Sequence, residues 1–310
     1  MQHVTSLEEL RLAQPAYLTI GAFDGVHLGH RALISGLVAE AHAAGRMAAV
    51  LTFFPHPSVF LRGRRPSFYI STPEEKADYL AQLGVDAVVT HPFNAEVAAI
   101  KAGDFVQRLV TLARMVELWC GADFALGHNR EGTVEFLQAE GERLGYRVRV
   151  IPPVLFDGEV ISSTRIRQTL RDGAVEQAAR YLGRPFRLTG EVVQGAQRGR
   201  TLGIPTANLA IWDERAVPAV GVYACRAYQA DWQGQAVVNI GFRPTFEGAE
   251  PRPVIEAHLL DFSGDIYGQP LTLEFIARLR PEFKFPGVDA LRAQIQRDIA
   301  GARQILALSQ

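Results

Sequence analysis

Residues 18–34, LTIGAFDGVHLGHRALI, decide the fold of the first half of the chain. A short apolar run with a strand pattern leads into glycines at positions 21 and 25, and a helical pattern begins near His27. A strand that passes through a glycine turn into a helix is typical of nucleotide-binding α/β domains. Since the first N–H groups and the dipole of a helix favour negative charge, we expect an anion at this turn.

His27 and His30 lie in the first turn of the predicted helix. Residues three apart share one helical face, so both imidazoles can face one ligand. Such a pair can donate hydrogen bonds to phosphate oxygens as charge builds up during attack at phosphorus. Two alternatives are surface histidines without a role and a zinc site, although no further ligands with zinc spacing are evident.

The segments that follow alternate between β-like and helical patterns. Strands are predicted in AYLTIGAF, MAAVLTFF, DAVVTHPF, ELWCGADF and YRVRVIPPV. Helices are predicted over residues 27–44, near 73–83, near 102–114 and before the last of these strands. This alternation indicates a parallel sheet covered by helices.

A second candidate phosphate grip is ISSTRIRQTL, where Ser162, Ser163 and Thr164 precede Arg165 and Arg167. Taken alone, the segment is best interpreted as an ordinary N-cap run. Hydroxyls, free N–H groups and arginine forks also suit a pyrophosphate. Because the histidine pair also points to a phosphate ligand, we favour the interpretation that this segment binds pyrophosphate.

After residue 183 the pattern changes to short β-like runs, namely LTGEVV, VYACRAYQ, AVVNIGF, PVIEAHLLDF and LTLEFIARL. These runs predict a small antiparallel β-barrel. A closing helix follows, with Val288, Leu291, Ile295 and Ile299 on one apolar stripe. Turn residues at 183–185 place the boundary between domains of residues 1–183 and 184–310.

A glycine-rich loop in the second domain contains Gly195, Gly199 and Gly203 around Arg198 and Arg200. Its N–H groups could lie against phosphates. The loop lacks the spacing and the Lys-Ser/Thr pair of a Walker A motif, and a plain hairpin connection explains it equally well.

The polar side chains near this loop suggest a metal and a base. Thr206 and Asn208 offer neutral oxygens that Mg²⁺ accepts when nucleotide phosphates and waters complete its coordination. Strand alternation puts Ile255 and Ala257 on one face and Glu256 on the other. On alternation alone, Glu256 is a solvated carboxylate.

The composition sets broad limits. With 310 residues, 48% apolar and 21% charged, the chain suits two globular domains. The opening residues do not have a secretory pattern, and no apolar run is long enough to span a bilayer. Cys120 and Cys225, without metal-ligand spacing, favour a cytoplasmic location and buried thiols. A net charge of −1 gives no general attraction to nucleic acid or an anionic membrane.

Taken together, these motifs resemble the bacterial bifunctional riboflavin kinase/FAD synthetase family. The first half resembles its adenylyltransferase domain through GAFDGVHLGH, TFFPHP (52–57), GADFALG (121–127) and ISSTRIR (161–167). The second half resembles its kinase domain through GxxRGxxLGxPTAN, GVYA (221–224), NIGFRPTF (239–246) and EAHLLDF. The resemblance implies an α/β nucleotidyltransferase-like domain followed by the barrel.

For the first domain, the resemblance implies transfer of AMP from ATP to FMN, with release of pyrophosphate and no covalent nucleophile. Catalytic roles fall to His27, His30 and Arg167, and His56 of PHP has either an assisting or a structural role. The ATP site comprises Gly21, Phe23, Asp24, His27, His30, Asp123, Ser162, Ser163, Thr164 and Arg167. Leu126 stands where the family usually has an aromatic residue, which affects the expected packing around adenine.

For the second domain, the resemblance implies phosphorylation of riboflavin by Mg-ATP. Glu256 is the expected general base toward the ribityl 5′-hydroxyl. ATP is assigned to Gly195, Gly199, Arg200, Thr206 and Asn208, with Mg²⁺ at Thr206 and Asn208. Flavins are then substrate and product rather than tightly bound cofactors, and LRPEFKF with the closing helix would form one wall of the flavin site.

Three alternatives remain open from the sequence. One is an enzyme that keeps only one of the two activities, to which Leu126 is the only hint. Another is an RNA-binding protein that joins a histidine-motif domain to a barrel, although the near-neutral net charge and the absence of a lysine-rich second signature such as KMSKS count against it. The third is a flavin-binding module without turnover, which leaves two phosphate grips unexplained. We expect small-molecule partners only, and the oligomeric state is open.

Overall fold

The computed structural model describes residues 1–63, 67–195, 203–230, 232–242 and 253–308. They form two compact units, one of residues 1–63 and 69–163, the other of residues 67–68 and the described residues from 164 onward.

The first unit contains a six-stranded sheet in which every pairing is parallel. Its strands are β1 (Gln2–Val4), β2 (Ala16–Ile20), β3 (Met47–Phe54), β4 (Ala87–Pro92), β5 (Met115–Gly121) and β6 (Arg147–Ile151). Their order is β1-β4-β3-β2-β5-β6. From β2 the chain continues to β3 on one side, and β5 lies on the other. Ligands of open α/β sheets bind at such a switch point, beyond the carboxyl ends of the strands.

Helices cover both faces of this sheet, as the alternation predicts. They are α1 (Leu28–Ala43), α2 (Pro57–Arg62), α3 (Pro73–Ala81), α4 (Ala95–Ala99), α5 (Ala102–Leu112) and α6 (Val134–Leu144), and a hairpin of β7 (Leu155–Phe156) and β8 (Glu159–Val160) follows. One apolar core contains Leu18 and Leu109, and the other contains Ile34 and Leu80. Because both faces are covered, every residue of β2 is buried.

The second unit is a closed antiparallel barrel with helices against it. Its elements are α7 (Ser163–Arg171), α8 (Val175–Leu182), β9 (Phe186–Val193), β10 (Ala207–Ala210), β11 (Gly221–Gln229), β12 (Trp232–Phe242), β13 (Pro253–Leu259), β14 (Pro270–Arg280) and α9 (Val288–Leu308). The barrel order is β10-β13-β12-β11-β14-β9. Phe186, Tyr223 and Phe275 fill its interior.

The structure differs from the sequence expectations in two places, at strand β10 and at Val288. Strand β10 was not predicted, because its four residues follow a proline and carry an asparagine. The predicted stripe of α9 is wrong at Val288, which is 57% exposed, because Ala302 and Leu306 in the second half of the helix pack on the barrel. Helices α7 and α8 group with the barrel, while the domain boundary at residue 183 stays a prediction.

Candidate active sites

The first candidate site is the turn between β2 and α1. Phe23 and Val26 have backbone φ angles of 47° and 39°, in a region that residues other than glycine rarely adopt. A Cβ at Gly21 would lie 2.9 Å from the Phe23 ring, so glycine is required for the ring to fold over the backbone. Strain of this kind persists only when the surroundings hold it, and it concentrates at functional sites.

Several hydrogen bonds hold this turn in place. The Asp24 carboxylate, which is buried, accepts from the backbone N–H groups of Ile70 (3.0 Å) and Ser71 (3.1 Å). The Gly25 N–H donates to Ser71 Oγ at 3.1 Å. Ser163 Oγ donates to the Asp24 carbonyl oxygen at 2.9 Å. In this structure, Asp24 and Ser163 therefore shape the backbone of the turn.

His27 and His30 stack above the start of α1, with ring centroids 3.6 Å apart. His27 caps the helix, because its Nδ1 accepts from the His30 N–H at 3.3 Å. That contact occupies His27 Nδ1 as an acceptor. The ring lies close to Gly29, where a Cβ would approach it to 3.1 Å.

Burial and the nearby His27 and Lys76 lower the pKa of His30 well below its usual value. His30 is therefore a neutral imidazole at neutral pH. Its Nδ1 is buried and has no hydrogen-bond partner among the described residues, so Nε2 is the nitrogen left to donate outward. Sequence reasoning paired these histidines correctly, but it did not predict that His30 is neutral.

Lys76 was missed by the sequence analysis. It lies on α3, is 6% exposed, and lines a small pocket together with Ala22, Asp24, Phe53, Phe54, His56, Tyr69, Ser71 and Pro73. Its Nζ donates to Ala22 O (3.0 Å) and to Thr52 Oγ1 (2.8 Å). A buried lysine is uncommon unless paired, and this one lies beside the histidine turn.

The remaining predicted residues of the first site are less closely associated. Asp123 is exposed, and its carbonyl oxygen accepts from Arg130 Nη2 at 2.9 Å. Ser162 is half-buried just before α7. His56 caps α2 by accepting from the Ser58 N–H at 3.0 Å, which supports its structural role.

Thr164 and Arg167 belong to the second compact unit. Arg167 is buried, donates from Nε to the Phe68 carbonyl oxygen at 2.7 Å, and stacks over the Phe68 ring at 3.9 Å. Their part in the pyrophosphate grip stays a prediction.

Leu126 is a core residue. It is 7% exposed, belongs to the core that contains Leu18, and forms a two-way backbone bridge with Gly132. A Cβ at Gly132 would approach the Leu126 side chain to 3.0 Å. Leu126, at the position where the family usually has an aromatic residue, therefore fills the interior of the first unit.

The second candidate site is a row of polar residues across three barrel strands. Asn208 on β10 is directly opposite Glu256 on β13, and Glu256 is in turn opposite Asn239 on β12. Residues in direct register share a face of the sheet, and Ile255 and Ala257 are buried on the other face. The alternation predicted for Glu256 is confirmed. Asn239 was not predicted as a site residue, because strand register is not visible in one sequence.

Gly195 lies directly against this row. A Cβ at Gly195 would fall 2.1 Å from Asn208 Nδ2 and 2.3 Å from its Cγ, so only glycine lets the amide approach the backbone. Thr206 is half-buried just before β10. Gly199 and Arg200, which the sequence analysis also assigned to ATP, lie outside the described residues.

The segment LRPEFKF borders the row on another side. Around Gly241, a Cβ would lie 3.3 Å from Glu282 Oε1 and 3.7 Å from Asn239 Nδ2. The Phe283 and Phe285 rings are 4.7 Å apart, and Phe283 is 47% exposed. One exposed and one half-buried aromatic ring therefore lie in the segment that passes the polar row.

Three other observations concern metal binding, the cysteines and membrane helices. Within the described ranges, no group of three or more histidine, cysteine or acidic side chains could hold a metal ion, so the zinc alternative gains no support. Both cysteines are buried, and burial raises the pKa of Cys120 to about 11 and that of Cys225 well above its usual value. Across the described residues, no helix is both long and apolar enough to cross a bilayer.

The fold and the two sites define a two-domain transferase with a nucleotidyltransferase-like sheet and a kinase barrel. A family model described as FAD synthetase matches residues 10–165, and one described as riboflavin kinase matches residues 182–306. The chain belongs to the family of bifunctional riboflavin kinase/FMN adenylyltransferases. It phosphorylates riboflavin to FMN and adenylylates FMN to FAD.

Individual relatives cover both domains. The chain is 38% identical over 314 residues to the bifunctional riboflavin kinase/FMN adenylyltransferase of Pseudomonas fluorescens. This match covers 100% of the chain and 99% of the relative. It is 38% identical to that of Escherichia coli (strain K12), over 94% of this chain and 93% of the relative. It is also similar to a crystal structure of a macrolide-efflux protein from Streptococcus pneumoniae, with a TM-score of 0.89, 30% identity, and coverage of 97% and 98%.

Proposed function

We propose that the two reactions are carried out at the two sites described above, the adenylyl transfer at the His27/His30 turn and the kinase reaction at the Asn208–Glu256–Asn239 row. The adenylyl assignment is supported above all by the stacked imidazoles at the start of α1. The kinase assignment is supported above all by the register that puts Glu256 between two asparagines.

In the adenylyl transfer, the FMN phosphate attacks the α-phosphate of ATP and pyrophosphate leaves. His27 and His30 donate from Nε2 to ATP phosphate oxygens, and these hydrogen bonds strengthen as charge develops in the transition state. A neutral imidazole has one N–H donor and one acceptor nitrogen, so a ring that uses Nδ1 as the acceptor donates from Nε2. The family resemblance assigns Thr164 and Arg167 to the departing pyrophosphate and Asp123 to the nucleotide.

In the kinase reaction, Glu256 accepts the proton of the ribityl 5′-hydroxyl as that oxygen attacks the γ-phosphate of ATP. The side chain is half-buried and lies beside two amide side chains, which can orient its carboxylate. General-base help of this kind contributes roughly 10²–10⁴ in rate.

Oxygen donors at the row fit a magnesium ion bound together with ATP. Asn208 is buried next to Glu256, and Thr206 precedes it by two residues, so amide and hydroxyl oxygens are available. Bound there with ATP, Mg²⁺ would neutralise phosphate charge. Gly195 keeps the Asn208 amide close to the backbone, and Gly199 and Arg200 are assigned to the same nucleotide.

The flavin ring requires an apolar slot near the row. Phe283 and Phe285 are the aromatic rings of the LRPEFKF segment that passes it, and α9 packs on the adjacent outer face of the barrel. We assign one wall of the flavin site to this segment and α9. The partners are then riboflavin, FMN and ATP, in the cytoplasm, where the two buried thiols stay reduced.

The assignment of both reactions to one chain is tested by following the flavins over time. The purified protein is incubated with riboflavin, ATP and Mg²⁺, and the flavins are separated by chromatography. FMN should appear first and FAD afterwards, and a parallel incubation that starts from FMN should yield FAD directly. FMN without FAD would contradict the first site, and FAD from FMN without any product from riboflavin would contradict the second.

A further inference from the structure

Lys76 reaches the strained turn from a separate helix. It is one of the two hydrogen-bond donors to the Ala22 carbonyl oxygen, the other being Thr52 Oγ1, which donates to the same oxygen at 3.0 Å. Lys76 Nζ also contacts Thr52 Oγ1 at 2.8 Å. Ala22 immediately precedes Phe23, the first residue of the turn with a positive φ angle. The ammonium group therefore holds the backbone at the point where the strain begins.

His30 adds no positive charge to the site, because burial keeps its imidazole neutral. Lys76 is the one lysine or arginine among the residues that line the pocket. Two polyanions, FMN and ATP, must approach each other during adenylyl transfer, and a buried charge acts on them more strongly than a solvated one.

We propose that Lys76 is a positioning residue of the adenylyl transfer, which holds the 21–25 turn through the Ala22 carbonyl oxygen and provides the positive charge beneath the substrate phosphates. The inference rests on the assignment of this reaction to the His27/His30 turn. An ammonium group has three donors, and two are used by Ala22 and Thr52, which leaves one N–H for the pocket or a bound phosphate.

The protonation of Lys76 gives this role a pH signature. Burial lowers the pKa of Lys76 to about 8, and the nearby Asp24 opposes that shift. His27, His30, His56 and Tyr69 are the other titratable groups of the turn and the pocket. Since the pKa is lowered to about 8, the charge is present at pH 7 and is lost as the pH rises through about 8.

Three substitutions separate charge from backbone support. Lys76→Met removes the charge and one donor, while Ala22 O keeps the Thr52 hydroxyl and the Asp24 carboxylate keeps the N–H groups of Ile70 and Ser71, so we expect the unit to stay folded. Lys76→Arg keeps a charge that does not titrate in this range. Thr52→Val, the matched control, removes a neutral donor to the same carbonyl oxygen and leaves the charge.

FAD formation from FMN and ATP is measured for each protein, with riboflavin phosphorylation by the same chain as the internal control. Lys76→Met should lower kcat/KM for FAD formation about 10²-fold, the size of losing one preorganised stabilising group. Thr52→Val should lower it about tenfold or less, as for one neutral hydrogen bond. Lys76→Arg should recover most of the activity, and melting curves should show a folded first unit in all three.

The pH dependence of kcat/KM for FAD formation distinguishes this role from a purely structural one, because a structural lysine would not change it. For the unsubstituted protein, kcat/KM for FAD formation should fall as the pH rises through about 8, and the Lys76→Arg protein should lack this fall. Riboflavin phosphorylation, which also uses ATP, is measured over the same pH range to correct for the titration of ATP. Equal activity of the Lys76→Met and unsubstituted proteins would overturn the inference, and so would identical pH profiles of the Arg and Lys proteins. Failure of the unsubstituted protein to form FAD would instead contradict the proposed function.

Discussion

The two active regions of this chain hold their polar groups by different means. At the His27/His30 turn, the backbone has unfavourable φ angles at Phe23 and Val26, and side chains from separate segments hold it in place. In the barrel, Asn208, Glu256 and Asn239 are aligned by the register of neighbouring strands. The His27/His30 turn therefore depends on hydrogen bonds from side chains of other segments, and the barrel row depends on strand register.

This difference has consequences for substitution. In the first region, a residue distant in sequence, such as Lys76, can control the site because it supports the turn. In the second region, strand register aligns the row, so the chemistry of each side chain and its local fit decide the effect. Substitutions in each region should therefore affect one reaction and spare the other, which the bifunctional chain allows to be measured in the same sample.

The largest effect is expected for Glu256→Gln. This change keeps the shape of the side chain and removes the proton acceptor, so the kinase kcat should fall by roughly 10²–10⁴. FAD formation from supplied FMN should stay the same. Both rates are measured by chromatographic separation of the flavins.

Glu191→Gln is the matched control for this change. Glu191 is an exposed carboxylate on β9, a strand of the same barrel, and its neutralisation should leave the kinase rate unaltered. If Glu256→Gln phosphorylated riboflavin at the unsubstituted rate, Glu256 could not be the base, and the polar row would have to be interpreted as a structural feature.

The next largest effect is expected for His30→Ala. The change removes one donor to the developing charge, and losses of about 10²–10³ in kcat are typical for such a group. FAD formation should fall by this amount while riboflavin phosphorylation is retained. The effect should appear in kcat more than in KM, because the hydrogen bond strengthens in the transition state.

His42→Ala serves as the control on the same helix. His42 lies at the far end of α1, is largely exposed and pairs with Asp86 at 2.9 Å. Its removal should leave FAD formation unchanged. An equal loss of FAD formation in the two variants would indicate that α1 itself had been disturbed, and the specific role of His30 would be rejected.

Much of the fold could be predicted from local patterns. The parallel sheet followed from alternating strand and helix periodicities, and α1, α3 and α5 begin close to the predicted residues. Strand β10 escaped prediction because four residues after a proline carry too little pattern. The Val288 prediction failed because an apolar stripe gives a helical face but does not show how much of the helix meets the barrel.

The sites were predictable only where their residues are close in sequence. His27 and His30 lie on one helical turn, so their spacing was sufficient to pair them. Lys76 comes from a helix more than forty residues away, and Asn239 meets Glu256 only through strand register. Such contacts depend on topology, and burial decides that the His30 imidazole is neutral.

The smallest of these effects is expected for Gly195→Ala, which tests how closely the polar row must fit. The new Cβ would overlap the Asn208 amide at 2.1 Å, and this flexible side chain must move away. Since only one of the proposed ligands of Mg-ATP is displaced, we expect about a tenfold loss in kinase kcat/KM, about 1.4 kcal/mol. Gly287→Ala is the matched control, because a Cβ there meets nothing within 4 Å. If both alanine variants phosphorylated riboflavin equally well, the position of the Asn208 amide would not matter for the kinase reaction. The barrel site would then tolerate a local distortion that the His27/His30 turn is not expected to tolerate.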